Sequence, residues 1–455
     1  MARLSALEAT ARLSGRRGRV LLHSARDDDG LGRWSFVTAE PSATLIGRGR
    51  SLVVLDRDGR PTRRFTADPF EAAEAFLAEH GCTLGGATGA PPEPRVIGYL
   101  GYELAHVVER FTFARGSRRG DDCPDLWLAA YDAVGRWRRG DDDHELIGTP
   151  AARDRLAAAF AQRARPTLAP SLGPLTADDD GSHHMARVEK IRDYLAAGDV
   201  YQVNLARRLV AHVLAPGDAL AIYAALAEVA PAPYGALIEA DGATVISGSP
   251  ERFLAALPSP DGARIETRPI KGTRPRTPTG ADDLAASEKD AAEHLMIVDL
   301  ERNDLGRIAE TGSVSVDALG YVVELPALYH KISRVSAQPR AGTGYASLLR
   351  ATFPGGSITG APKVRAMELI DELEPVRRGP YCGALGYFGA HGAFDLAIAI
   401  RIGVLAGNEL RVHVGGGIVA DSDPAAELAE TETKAAGWRA ALEVLDAARR
   451  RAPRS

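Results

Sequence analysis

The chain has 455 residues, 45% of them hydrophobic and 25% charged, a globular profile with room for two or three units of about 150 residues each. A net charge of −5 leaves no footprint for nucleic acid or a membrane surface, so an anionic ligand must be met by local charge. The three cysteines, Cys82, Cys123 and Cys382, are too scattered for a disulfide framework or a clustered metal site. No signal-peptide core or apolar run of about 18 residues appears, and a cytoplasmic protein is expected.

Residues 1–135 alternate short apolar runs (RVLLHSA, SLVVLD, VIGYLGYEL, LWLAAYDAVG) with Asp, Gly, Arg and Pro turns, which predicts strands and a few helices such as FEAAEAFLAEH. From about 139 to 182 the chain becomes polar and Pro-rich around a helix-like DRLAAAFAQRA, the best candidate for a linker. SHHMARVEKIRDYLAAGD then predicts a helix with Ser182 as N-cap, followed by the strand VYQVNLARRLVAHV. Beyond it, short strands alternate with helical stretches at about 284–301, 344–351, 362–373 and 424–447. The coarse expectation is an α/β (α+β) fold of long antiparallel strands covered by helices, in two regions, 1–165 and 183–445, intertwined into one body.

Lysine is rare here. Only Lys190, Lys271, Lys289, Lys331, Lys363 and Lys434 occur, against 49 arginines. Arginine never loses its proton in a protein, whereas a desolvated lysine can become a nucleophile. Lys271 sits in RPIKGTRPR, the only lysine among four cationic residues in nine. One of the others falls on an acidic face. Glu427, Glu430 and Lys434 are spaced i, i+3, i+7, and Asp290 and Glu293 are three apart on a second helix. Two such helices suit a hard divalent cation, which takes one or two protein carboxylates and completes its shell with water and ligand oxygens. Solvated helix faces are the alternative on spacing alone.

Three glycine-rich segments, SGSPERF, FPGGSITGAPK and VGGGIVADSDP, allow close backbone approach to an anion, or simply bend the chain. FPGGSITGAPK lacks the Lys-Ser/Thr that a nucleotide phosphate loop requires after its last glycine. Polar residues interrupt apolar strands at Gln202, Asn204, Glu251, His330, Tyr381 and Arg401. An arginine inside LAIAIRIGV needs a partner, either a structural acid or a substrate carboxylate.

Together GDVYQVNLARR, SGSPERF, RPIKGTRPR, EHLMIVDLERNDLGR, FPGGSITGAPKVRAMELI, PYCGALGYF and HVGGGIVADSDPAAELAETETKA resemble the chorismate-utilising enzymes. That family includes anthranilate, aminodeoxychorismate, isochorismate and salicylate synthases. The resemblance is dense from about 183 to 440 and looser before. It implies a large layered antiparallel β-sandwich flanked by helices, chorismate as substrate and Mg²⁺ as cofactor. Carried over, Glu293 and Glu430 would hold the metal, with Glu427 and Asp290 close by through water. Arg401, Tyr381, Lys434 and the backbone of Gly415, Gly416 and Gly417 would meet the substrate carboxylates, and Thr273 and His330 would border the ring. Glu251 resembles the general acid for the departing C4 hydroxyl.

Within the family, PIKGT at 269–273 resembles aminodeoxychorismate synthases, where anthranilate synthases carry PIAGT. Gln202 stands where isochorismate and salicylate synthases place a lysine base. The implied reaction is amination of chorismate at C4 through a covalent Lys271 adduct, with Arg268, Arg274 or the metal depressing the lysine pKa. No glutaminase segment is evident, so the resemblance implies a glutamine amidotransferase subunit as ammonia source. LLHSA near residue 21 resembles the family's tryptophan-pocket region, which implies bound tryptophan, regulatory or structural. The competing readings are an anthranilate synthase component and a non-catalytic ligand-binding paralogue.

Overall fold

The computed structural model describes residues 4–85, 89–109, 123–141, 143–164, 168–259, 262–325 and 328–451. Two antiparallel sheets of 12 strands each dominate it. The first runs from Ser171–Leu172 and Gln202–Ala215 through Glu409–Ile418, Ile402–Ala406, Ala243–Ser249 and Tyr234–Ala240 to Val20–His23, Trp34–Thr38, Ala133–Arg138 and His144–Gly148. The second begins at Ile270–Pro275 and Leu328–Ala337, continues through Gly262–Arg268, Arg252–Ser259, Phe394–Ile398 and Ala384–Gly389, and ends in Pro94–Leu100 and four further N-terminal strands. Both sheets therefore contain strands from both ends of the sequence.

Strand alternation sorts the apolar residues into two cores. Val20 and Leu22 point between the sheets with Phe36, Val96 and Leu385, whereas Leu21 and Val37 point outward beneath helices with Tyr223 and Trp438. Trp438, 1% exposed, anchors the long helix Pro424–Arg451, and burying a side chain of this size stabilises by roughly 2–3 kcal/mol. Gly403 lets it dock closely, since a Cβ there would lie 2.6 Å from the Trp438 ring.

Several local expectations change. The helix Gly181–Ala196 is capped by Asp180, whose carboxylate accepts from His183 N; Ser182 is already inside the first turn. The expected linker holds the helix anticipated at DRLAAAFAQRA, as Pro150–Ala161, but also the strand His144–Gly148, which extends the first sheet. VGGGI is the end of the strand Glu409–Ile418, not a turn. Arg401 lies in no strand: it sits between Phe394–Ile398 and Ile402–Ala406, which belong to different sheets, at φ +53°. Crossing from one sheet to the other needs a sharp reversal that an extended residue cannot make.

Candidate active site

Lys271 is aimed by a β-bulge. Ile270 pairs with Ile332 and Thr273 with His330, so three steps on one strand oppose two on the other. Gly272 absorbs the extra residue at φ +81°, and a Cβ there would meet Leu284 at 2.8 Å and Asp290 at 3.2 Å. This explains why the lysine is followed by glycine. Lys271 is half-buried, as suits a group on a cleft wall with protein packed densely around it. Its pKa is lowered, mainly by burial and further by Lys434, against the opposing pull of Glu251, Glu293 and Glu430. The flanking arginines do not serve as the repelling neighbours expected from sequence. Arg268 is tied to Glu266 at 2.6 Å and Arg274 to Asp290 at 2.6 Å.

Glu251 is 5% exposed at the start of the strand Arg252–Ser259. Burial pushes its carboxyl up to about 7, although Ser357, Lys271 and the Ile270 N–H each favour the anion. Ser357 Oγ donates to Glu251 Oε1 at 2.8 Å. Glu251 is thus an acid that holds its proton near neutrality, beside a lysine inclined to release one. Behind it lies Glu301, also buried, which accepts from Thr267 Oγ1 at 3.0 Å. Its pKa is raised well above the carboxylate range by burial and by Glu251.

The two acid-bearing helices form as expected. Glu288–Gly306 starts at Ser287, whose hydroxyl accepts from Asp290 N, and Pro424–Arg451 starts after Asp423, which accepts from Ala426 N at 2.9 Å. Glu427, Glu430 and Lys434 converge on Gly416, where a Cβ would lie 3.3 Å from Glu427 Oε2 and Glu430 Oε1 and 3.6 Å from Lys434 Nζ. Lys434 Nζ contacts Glu430 Oε1 at 2.6 Å and donates to Gly415 O at 2.6 Å. Burial and then, more weakly, neighbouring acids raise Glu293; burial and Glu430 raise Glu427. Asp290 faces the same region but is engaged by Arg274.

Among the described residues, no three His, Cys, Asp or Glu side chains stand close enough to enclose a metal unaided. The crowded carboxylates around a side-chain-free strand nevertheless fit Mg²⁺, which needs only one or two protein carboxylates beside water and ligand oxygens.

The remaining candidates lie close by, with Arg401 near His330, Tyr381 and Glu430. Thr273 Oγ1 and His330 Nδ1 are 2.9 Å apart. Burial, with the charges of Arg26 and Arg401, pushes His330 down to about 4, so its ring is neutral. Arg401 is exposed and pairs with no carboxylate among the described residues. Tyr381 is buried and stacks on His413 at 5.4 Å between ring centres. The strand Ile402–Ala406 pairs with its neighbour only from Val412 onward toward Glu409, which leaves one backbone edge of Gly415, Gly416 and Gly417 without a strand partner. Gln202 is fully buried against Gly417, and neither amide atom has a hydrogen-bond partner among the described residues.

Sequence reading missed Ser357, hidden in what looked like a glycine turn, and Lys289, a rare lysine 4.0 Å from Glu293. The LLHSA segment borders a cavity of about 130 Å³ between the sheets, with Trp34, Phe36 and Tyr387 as flat walls and Ser24, Arg252 and Asp395 as polar groups.

A buried acid with a raised pKa beside a lysine with a lowered one, close to crowded carboxylates, is the arrangement of a candidate catalytic site. The chain belongs to the chorismate binding enzyme family, whose model matches residues 29–439. It is 37% identical over 436 residues to aminodeoxychorismate synthase component 1 of Escherichia coli (strain K12), covering 93% of each chain. It is 36% identical over 460 residues to anthranilate synthase component 1 of Streptomyces coelicolor, covering 94% of this chain and 84% of the relative. The crystal structure of anthranilate synthase component I from Streptococcus pneumoniae TIGR4 aligns with a TM-score of 0.76 at 28% identity, over 90% of this chain and 92% of that one. The expected layered fold and family are thereby established.

Proposed function

We propose that this chain converts chorismate and ammonia to 4-amino-4-deoxychorismate for 4-aminobenzoate and folate synthesis. Ammonia would come from a glutamine amidotransferase subunit, in keeping with the component 1 name of its relatives. One observation carries the choice within the family: Lys271, in a bulge facing Glu251, has a lowered pKa while the acid is held at about 7.

Arg401, Tyr381, Lys434 and the backbone of Gly415, Gly416 and Gly417 hold the substrate carboxylates, and Thr273 and neutral His330 border the ring. Neutral Lys271 Nζ attacks C2, the ring double bond shifts, and the C4–O bond breaks as Glu251 gives its proton, so the hydroxyl leaves as water. Ammonia then adds at C4 and its surplus proton returns to Glu251. The double bond shifts back and the C2–Nζ bond breaks, releasing Lys271 neutral. Glu293 and Glu430, with Glu427 and Asp290 behind them, would hold Mg²⁺, which when bound neutralises substrate carboxylate charge. Gln202, an amide with no basic site, supports amination over water activation.

The cavity beside LLHSA suits a tryptophan side chain against Trp34 and Phe36, and calorimetry with tryptophan tests it. Three buried cysteines outside any disulfide support a cytoplasmic setting; among the described residues no helix is long and apolar enough to cross a membrane.

The deciding experiment incubates the purified chain with chorismate, Mg²⁺ and ammonium and identifies the product by mass spectrometry, with and without a lyase that removes pyruvate. An aminated product retaining its enolpyruvyl group is expected. Fluorescent anthranilate formed without the lyase would assign the chain to the anthranilate synthase branch instead.

A further inference from the structure

Between the two catalytic segments lies a buried ion-pair hub that the proposed reaction does not touch. Arg252 directly follows Glu251, and Arg268 precedes Lys271 by three residues. The two arginines stand opposite each other in the strand ladder, where like charges repel. Glu266 reconciles them: its Oε1 accepts from Arg252 Nη1 at 2.6 Å and from Arg268 Nε at 2.6 Å. The Glu266 side chain is only 3% exposed. Outer contacts brace the hub. Arg252 Nη2 donates to Asp395 Oδ2 at 2.7 Å, and Arg268 Nη1 to the Asp29 carbonyl at 3.0 Å. Tyr321 in turn donates to Asp29 Oδ2 at 2.5 Å.

The strand ladder alone does not fix the separation of acid and nucleophile. One extra residue lies between Arg252 and Ala255 opposite Arg268 and Glu266, and another lies between Ile270 and Thr273. A bulge bends its strand and re-aims side chains, so two of them in succession leave that separation open to adjustment. We propose that Glu266 is a positioning residue that sets the spacing between Glu251 and Lys271 by clamping the two arginines beside them. The proposal rests on the catalytic assignment of Glu251 and Lys271 above.

Glu266→Asp tests it, because it keeps the charge but shortens the reach by one methylene. A second variant, Glu266→Met with Arg268→Met, removes a cation and an anion together and replaces them with apolar bulk. Chorismate consumption with ammonium gives kcat and KM, and thermal unfolding gives Tm. Misplacing reacting groups by about 1 Å costs on the order of 100-fold. Glu266→Asp is therefore expected to lose at least about 10-fold in kcat with the chorismate KM within about 2-fold. The double variant is expected to keep the parent Tm and still turn over slowly. A folded variant with kcat within about 2-fold of the parent overturns the proposal, as does a KM that rises in step with the loss of kcat. Failure of the underlying catalytic reading shows separately, as a Lys271→Ala chain that aminates at the parent rate.

Discussion

At the residue scale, one physical cause prepares both groups proposed to be catalytic. Burial favours the neutral form of each, which raises the Glu251 pKa and lowers that of Lys271. Replacing Lys271 with alanine should therefore abolish most amination, by about 100-fold or more, while chorismate binding measured by calorimetry persists. Ser357 offers a finer test. Its hydroxyl stabilises the Glu251 anion, so Ser357→Ala should raise that pKa above about 7. Activity needs the protonated acid, and the alkaline limb of the pH–kcat profile should move to higher pH. The same burial has a stability signature. The Glu251 pKa is raised on folding from 4.5 to about 7, so the stabilisation it gives when protonated is lost as pH rises across that window. Glu251→Gln, free of that loss, should exceed the parent in Tm at pH 8 and match it near pH 4.

What the sequence disclosed at this scale was uneven. A lysine in an arginine-rich chain marks itself by composition. The cause of its depression does not, because neighbours in sequence turned out to be engaged elsewhere and the repelling charge, Lys434, lies far along the chain. Likewise Arg401 reads as a strand arginine, and only the crossing between sheets reveals it as a turn residue facing the cleft.

At the scale of elements, the Gly415, Gly416 and Gly417 run separates two functions on one strand. A Cβ at Gly416 meets only carboxylate and ammonium tips, whereas at Gly415 it would lie 2.4 Å from the Leu205 carbonyl oxygen. Gly416→Ala should thus raise the Mg²⁺ concentration needed for activity and leave Tm nearly unchanged; Gly415→Ala should lower Tm. Titrating Mg²⁺ against rate and recording thermal melts separates the two. Periodicity disclosed most helices and strands here, since alternation and the 3.6-residue repeat are local. The bulges at Phe253 and Lys271 were invisible, because a bulge is defined by the partner strand's count and not by its own residues.

At the scale of the whole molecule, Val20–His23 pairs with Tyr234–Ala240, and Pro94–Leu100 with Ala384–Gly389. A fragment beginning at residue 183 would expose two long strand edges, and gel filtration should find it aggregated, not monomeric. Such pairings between distant strands are the part of a fold that a single sequence conceals most completely.

The contact of Lys434 with Glu430 and the Gly415 carbonyl bears on how the proposed metal corner is kept in order. If Glu430 holds Mg²⁺ as proposed, this tethered ammonium neutralises the acidic corner until the cation arrives. Folding then has no need to wait for metal, and cofactor exchange becomes a local swap of partners, not a reassembly. Treatment with a chelator should stop turnover reversibly while the melting temperature stays where it was.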